Sequence, residues 1–397
     1  MKHLKQGLWF CLLLLPLTVF SAHIVGSTLS YKYLKTNSDN TKTWQFELLI
    51  LRDCNGGGAP FDYQPTIGIY RGTALYGSFK IQSAPVISKI WTDCPLFPEP
   101  NVCFEKGVYQ FQVTLPHSAN SSYFIVYQRC CFSASIRNLE TPEAQGITVY
   151  TELTPSAMSA NNSSPVFENI PPLYTTRLGG VWFQPQVSNS DGNLLKFRLV
   201  PPPAGGGPDV ANPGVYSCEG ATPNPPCGPP FEALKYTAGH SGIMPFASND
   251  AIDELTGLFT VKSNYVGLYL VGIMVDEYLN GIWISSTPLQ FTIVVADGEE
   301  TCFFYTLGAD DVKDSDHPLR VSPVPATDQV TLHLAEAPVQ ALSVRVYNAQ
   351  GQLQHSGNWP AGDLEMAIDL DKWPAGLYYA VVEAAKGVGY RRAFVKQ

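Results

Sequence analysis

Bulky apolar residues recur at every second position through long stretches of the chain. Trp44, Phe46, Leu48 and Ile50 share one side of the segment 44–51, and Tyr109, Phe111, Val113 and Leu115 repeat the pattern. A period of two marks a half-buried strand, because successive side chains leave opposite faces of the backbone. Residues 123–132 read as a third such strand, and no run of helical period exceeds a turn or two. Gly- and Pro-rich connections such as 55–60 and 94–100 are turn chemistry, so residues 23–159 are expected to close as a β-sandwich.

Asn161-Asn-Ser-Ser-Pro165 and Pro171-Pro172 suggest a boundary, after which 181–183, 194–200, 258–261, 265–275 and 291–295 give a second set of strands. A long Pro/Gly insertion, 201–230, interrupts them. Asn280-Gly281 between two apolar runs predicts a tight hairpin, since Asn-Gly supplies the positive φ angles of its turn. Residues 160–296 are therefore expected to form a second sandwich. Seven acids against Lys313 make 297–318 an acidic linker, and 329–334, 342–347, 366–370, 376–382 and 389–395 are strands of a third module, 319–397.

Composition agrees with an all-β protein. The 397 residues include Gly 33, Pro 32, Tyr 20 and Phe 20, with only 15% charged side chains against roughly 25% in an average soluble domain. A hydrophobic fraction of 45% excludes a disordered chain, and a net charge of -9 excludes the basic footprint of a nucleic-acid binder. The acidic excess lies upstream of the last module, which holds seven basic and seven acidic residues.

Lys2 and Lys5, the apolar run 8–20 and Ser21-Ala22 compose a secretory signal peptide over 1–22. No other stretch approaches about 18 apolar residues, so no transmembrane segment is expected in the mature chain. Export favours disulfides. Cys11 lies in the leader, and the remaining eight cysteines suit a framework whose 105 connectivities sequence does not resolve. Cys94 with Cys103 and Cys218 with Cys227 would close short loops and are the first expected pairs; Cys54, Cys130, Cys131 and Cys302 complete the set. Cys130 and Cys131, adjacent on an alternating strand, are expected to face opposite ways and serve different partners.

In the third module four features occur in order. They are Val321-Ser-Pro-Val-Pro-Ala-Thr-Asp-Gln-Val330, Val344-Arg-Val-Tyr-Asn-Ala-Gln-Gly351, Trp373-Pro-Ala-Gly-Leu-Tyr-Tyr379 and the terminal Phe394-Val-Lys-Gln397. The module resembles the C-terminal sorting domain of type IX secretion cargo, with Pro323, Pro325, Gly351, Gly376, Tyr378 and Lys396 as its signal positions; Val324 stands where the family usually has Asn. The resemblance implies recognition by an outer-membrane translocon and sortase, cleavage of the module, attachment to a surface lipopolysaccharide, and an extracellular or outer-membrane surface location.

Upstream, His23-Ile-Val-Gly26, Leu51-Arg-Asp-Cys-Asn-Gly56, Val126-Tyr-Gln-Arg-Cys-Cys131, Ser163-Ser-Pro-Val-Phe-Glu-Asn169 and Asp276-Glu-Tyr-Leu-Asn-Gly281 resemble a family of gliding-associated bacterial surface proteins. The run Ile252-Asp-Glu-Leu-Thr-Gly-Leu-Phe-Thr-Val261 resembles the closing strands of cadherin-like and Ig-like repeats. Together these imply two Ig-like/cadherin-like sandwiches followed by a small β-sandwich sorting domain, acting as spacer or adhesive units. Relatives of the second sandwich often carry an acidic calcium loop. Here that position reads Ser188-Asn-Ser-Asp-Gly-Asn193, which leaves Asp191, Asn193 and a remote Asp276 as metal candidates.

Motif-readable zinc proteases, NTPases and NAD enzymes are absent. Gly239-His-Ser-Gly242 lacks the context of a nucleophile loop and is expected to be a turn. Glu47, Asp53, Asp276 and Glu277 are acids a glycosidase could use, and Trp44, Trp91, Trp182 and Trp283 could stack on sugars. The expectation is a non-enzymatic, adhesin-like or structural surface protein needing no cofactor unless calcium binds, with an unknown protein or glycan ligand. The alternative is a secreted carbohydrate-binding or carbohydrate-active protein.

Overall fold

The computed structural model describes residues 24–54, 60–92, 103–169, 171–177, 181–207, 220, 222–248, 250–261, 263, 265–297, 304–306, 319–334, 336–348, 353–383 and 389–396. The expected leader lies outside them. The chain divides into two compact units between Thr306 and Leu307.

The first unit begins with β1 (Ile24–Thr36), β2 (Thr41–Asp53), β3 (Thr66–Arg71), β4 (Ala74–Lys80), β5 (Val86–Thr92), β6 (Phe104–Pro116), β7 (Tyr123–Cys130) and β8 (Gly146–Leu153). Helix α1 (Pro155–Ala160) follows, its N-terminus capped by the Thr154 hydroxyl, which accepts from the Ala157 amide. Then come β9 (Val166–Phe167), β10 (Tyr174–Thr176), β11 (Val181–Phe183), β12 (Val187–Ser188), β13 (Leu194–Leu199), β14 (Ala251–Ile252), β15 (Phe259–Val261), β16 (Gly267–Leu279), β17 (Ile282–Ala296) and β18 (Phe304–Thr306).

Among the described residues one nine-stranded sheet runs β13-β16-β17-β1-β2-β6-β5-β18, with β10 beside β17. A four-stranded sheet, β4-β3-β7-β8, and a three-stranded sheet, β11-β15-β14, accompany it. The boundary expected at 159/160 thus falls inside a single unit, because β1 pairs with β17 at Gly26↔Phe291, Ser27↔Gln290 and Thr28↔Leu289. Both expected sandwiches have a core. The first joins Leu29, Trp44, Phe46 and Phe111 to Ile125 and Val149. The second joins Phe197, Val271, Leu289 and Phe291 to Phe183 and Phe259.

Register sets the faces these cores use. Leu29 shares its face of β1 with Ser27, hence with Gln290 on β17, whereas Leu289 and Phe291 point the other way. The two cores therefore occupy opposite faces of one sheet, and the β17-β16-β13 half carries a second face, that of Gln290, Met274 and Asp276, beside the four-stranded sheet's edge strand β8.

The segment 161–165, expected as a boundary, is a wedge between β1 and β17. Ser164 donates its amide N–H to Tyr31 O, and its Oγ accepts from Tyr31 N, both at 2.9 Å, and Thr287 Oγ1 donates to Pro165 O at 2.8 Å. The described part of the Pro/Gly insertion is pinned to the outer sheet. Thr148 Oγ1 donates to Ala204 O at 2.7 Å, Cys227 N to Gln128 Oε1 at 2.8 Å, and Tyr70 OH to Pro226 O at 2.6 Å. Within the expected linker 297–318, β18 pairs with β5 through Phe304↔Thr92, so that part is sheet; 298–303 and 307–318 lie outside the described residues.

Two turns explain local sequence. Asn280 (φ 52) and Gly281 (φ 80) make the tight β16–β17 turn, as Asn-Gly predicts. Gly257 has φ +71, and a Cβ there would meet the Phe197 ring at 2.8 Å, so both backbone and packing require glycine in the 252–261 motif.

The second unit comprises β19 (Leu319–Ser322), β20 (Gln329–Leu334), β21 (Leu342–Asn348), β22 (Leu353–Trp359), β23 (Glu365–Asp369), β24 (Gly376–Glu383) and β25 (Gly389–Lys396). Sheets β19-β20-β23 and β22-β21-β24-β25 enclose a core of Val330, Leu332, Val344, Trp359, Tyr378 and Phe394. This is the small sandwich that the alternation predicts.

Candidate functional site

The cysteines correct the expected pairing. Cys103 is bonded to Cys54, not Cys94, with Cα atoms 5.0 Å apart. The cause is register: Asp53 of β2 faces Phe104 of β6, so the next residues along each strand are neighbours. Cys130 and Cys131, expected to serve separate partners, are bonded to each other at the end of β7, where the alternation that would turn them to opposite faces stops. Cys227 is also disulfide-bonded; Cys94, Cys218 and Cys302 lie outside the described residues.

The three metal candidates do not converge. Asp191 Oδ2 accepts from the Ser163 amide at 2.9 Å, Asn193 Nδ2 donates to Glu277 Oε1 at 2.9 Å, and Asp276 faces Arg198. Asp276 and Glu277 are adjacent on β16 and so point to opposite faces, which separates Asp276 from the 188–193 loop. No group of three or more His, Cys, Asp or Glu side chains able to hold a metal occurs among the described residues. The acid that does organise this region is Glu277. Fully buried, it accepts from Asn193, from Asn162 Nδ2 at 2.8 Å and from the Ser285 hydroxyl. Burial raises the pKa of the neighbouring Tyr31, and Glu277's charge adds to it.

A second, half-buried acid braces the first core. Asp62 meets Arg129 Nη1 at 2.7 Å and accepts from Tyr127 OH at 2.9 Å, while Tyr109 OH donates to its backbone carbonyl at 2.6 Å. Burial, followed by the Asp62 charge, pushes both tyrosines upward. His240 Nδ1 contacts Thr237 Oγ1 at 3.0 Å, and Ser241 Oγ accepts from the Met244 amide, so the two residues are parts of a turn.

The feature that could hold a ligand is the face of β17, β16 and β13 beside β8. A cavity of about 250 Å³ opens at one end, between Tyr150, Phe231, Pro201 to Pro203, Met274 and Gln290. The Tyr150 and Phe231 rings lie 4.7 Å apart. Gly272 belongs to the floor because a Cβ there would meet Val200 O at 2.4 Å.

From Met274 the same face continues to Asp276 and Tyr278, since alternate residues of a strand share a face. Arg198 Nε reaches Asp276 Oδ2 at 2.6 Å, and Ser286 donates to Asp276 Oδ1. Trp283, paired with Tyr278 across the strands and 39% exposed, donates its Nε1 hydrogen to Ser286 Oγ at 2.8 Å. Leu194, opposite Tyr278 on β13, is exposed too. The cavity lining ends at Met274, and the face beyond it carries hydrogen-bonded polar groups and then the aromatic rings of the hairpin. Of the tryptophans considered for stacking, Trp44 is buried in the first core, and the side chains of Trp91 and Trp182 lie outside the description. Alternation along β16 makes the shared face of Asp276 and Tyr278 legible, but Trp283 joins them only through the register shift between Glu277 and Tyr278, and neither that shift nor the nearness of Tyr150 was legible.

In the second unit the sorting positions meet around the last strand. Pro323 and Pro325 lie in the β19–β20 connection, whose buried Ala326 bridges Lys396, and Gly376 pairs with the same Lys396. Tyr378, paired with Phe394, has its ring 4.9 Å from Trp373 and 5.6 Å from Phe394, and its hydroxyl donates to Pro374 O at 2.6 Å. Gly351 lies outside the described residues.

Residues 320–396 match the family described as the secretion system C-terminal sorting domain. The second unit is such a domain, of the type IX kind, so this is an exported protein with a cell-surface or extracellular location. No curated protein matches the chain. Among solved structures it is similar to the dimeric latent PorU from Porphyromonas gingivalis, at 11% identity over 94% of this chain and 34% of that one, with a TM-score of 0.18. A run of titin domains is similar at 9% identity, 94% and 100% coverage and a TM-score of 0.15. The BSP domain of a biofilm-associated protein is similar at 9% identity, 96% and 67% coverage and a TM-score of 0.18. The chain spans about a third of the PorU structure's length. Among the described residues no helix is long and apolar enough to cross a membrane.

Proposed function

We propose that the chain is a non-enzymatic, adhesin-like surface protein whose first unit holds its ligand in the groove beside β8. The supporting observation is how that groove treats its acid. Acid–base hydrolysis of a glycoside needs two carboxyl groups facing one bond. Here Asp276 has Oδ2 on Arg198 and Oδ1 on Ser286, while Glu277 turns to the opposite face and is spent on Asn162, Asn193 and Ser285. Such a floor suits binding better than proton transfer. The motifs shared with gliding-associated surface proteins fit the same role, with the sorting module read by the translocon, removed by its sortase, and the remainder retained on surface lipopolysaccharide.

The test compares intact wild-type cells with a translocon-deficient strain, using external protease and intact-mass analysis. The expected result is an accessible chain lacking 319–397 in the wild type and a protected, full-length chain in the mutant. A periplasmic chain in both strains would overturn the reading.

A further inference from the structure

The groove combines flat aromatic faces with planar hydrogen-bonding groups, and its charges are already neutralised. Tyr150 and Phe231 stand at the cavity end, and Tyr278 and Trp283 at the hairpin end. Between them lie Arg198, whose side chain is 53% exposed, and Asp276, 8% exposed. Gln290, 7% exposed, lines the cavity and donates through Nε2 to Ser27 Oγ at 2.9 Å and Thr148 O at 3.0 Å, while its Oε1 has no partner among the described protein atoms. An unpartnered buried acceptor calls for a hydroxyl or N–H donor.

Six residues of strand separate Gly272 from Tyr278, a span of about 20 Å at the strand rise, which is long for a single small molecule. Aromatic faces accept the C–H side of a sugar ring, while amide, guanidinium and hydroxyl groups accept or donate to its hydroxyls. Both floor cations are paired, Arg198 with Asp276 and Lys196 with Glu254 at 2.6 Å. An acidic glycan would find no uncompensated cation on this floor.

We propose that the groove between β8 and the Met274–Asp276–Tyr278 face binds a neutral oligosaccharide, with Trp283 as the stacking platform at one end, beside a Tyr278 ring whose face Lys196 covers, and the Tyr150–Phe231 cavity at the other. The inference rests on the adhesin-like reading and names its ligand class.

The test uses the purified full chain on an array of neutral and acidic glycans, followed by calorimetry with a neutral oligosaccharide that binds. Trp283→Ala and Tyr150→Ala are compared, with thermal melting confirming that each variant is folded. The expected result is binding of neutral oligosaccharides, weakened about tenfold or more by each substitution. A monosaccharide of the same type should respond to one substitution only. Absence of neutral-glycan binding at millimolar concentration, preference for acidic glycans or peptides, or indifference to Trp283→Ala would overturn the proposal. Surface display and attachment of cells to protein-coated surfaces would be unaffected by that outcome, so the adhesin-like reading is judged separately.

Discussion

Arg198 grips Asp276 with two hydrogen bonds, Nε to Oδ2 at 2.6 Å and Nη2 to Oδ1 at 3.2 Å, across neighbouring strands at the centre of the groove. Hydrogen bonding to Asp276 raises the guanidinium's already high pKa, so Arg198 stays charged throughout the useful pH range. Arg198→Met leaves a nearly buried carboxylate without its cation. Because Arg198 itself is half exposed, the expected loss is about 1–2 kcal/mol, with much of it recovered in the Arg198→Met/Asp276→Asn double variant. Urea unfolding of the four members of the cycle measures this.

Non-reducing peptide mapping should recover a Cys54–Cys103 linked peptide, as the β2–β6 register requires. Replacing both residues by serine is expected to cost about 2–4 kcal/mol through release of a long loop in the unfolded chain. A Cys94–Cys103 peptide in the map would contradict the register.

Gly257 and Gly72 both have positive φ, +71 and +59, yet differ in surroundings. Ala at 72 would meet nothing within 4 Å and should cost about 1 kcal/mol in backbone strain. Ala at 257 adds a clash with the Phe197 ring and should cost about 2–3 kcal/mol. Equal losses in thermal unfolding would show that the second core yields around Phe197.

Asp253 accepts from the Thr256 amide at 2.7 Å, the Thr256 hydroxyl at 2.8 Å and the Leu255 amide at 3.1 Å, and these bonds hold its carboxyl below the ordinary 3.8. A depressed folded-state pKa gives stability that is present above 3.8 and lost as pH falls through the folded value. Asp253→Asn should therefore be less stable than wild type near neutral pH and nearly equal to it well below 3.8. A stability gap that does not shrink on acidification would refute the assignment.

Calcium should leave the melting temperature unchanged, since Asp191, Asn193 and Asp276 each face a different partner. A rise of several degrees at millimolar calcium would mean that these side chains regroup around an ion.

Strand alternation, the Asn280-Gly281 turn and the third module's small sandwich were legible because each is encoded in neighbours along the chain. The same alternation also implies that Asp276 and Glu277 part company, although their partners are remote in sequence. Four sorting elements were readable from order and spacing, and the structure adds that Ala326, Gly376 and Lys396 meet at the last strand.

Periodicity and turn chemistry by themselves determined that this chain is all-β and where its most strongly alternating strands run, since these depend on residues a few positions apart. Only the tertiary structure decided that β1 pairs with β17, that the two cores take opposite faces of one sheet, that Cys103 joins Cys54, and that Tyr150 stands over the Met274 face. Those relations follow from strand register between distant segments. A shift of one residue would turn every side chain to the other face, and no local pattern records which distant strand lies alongside.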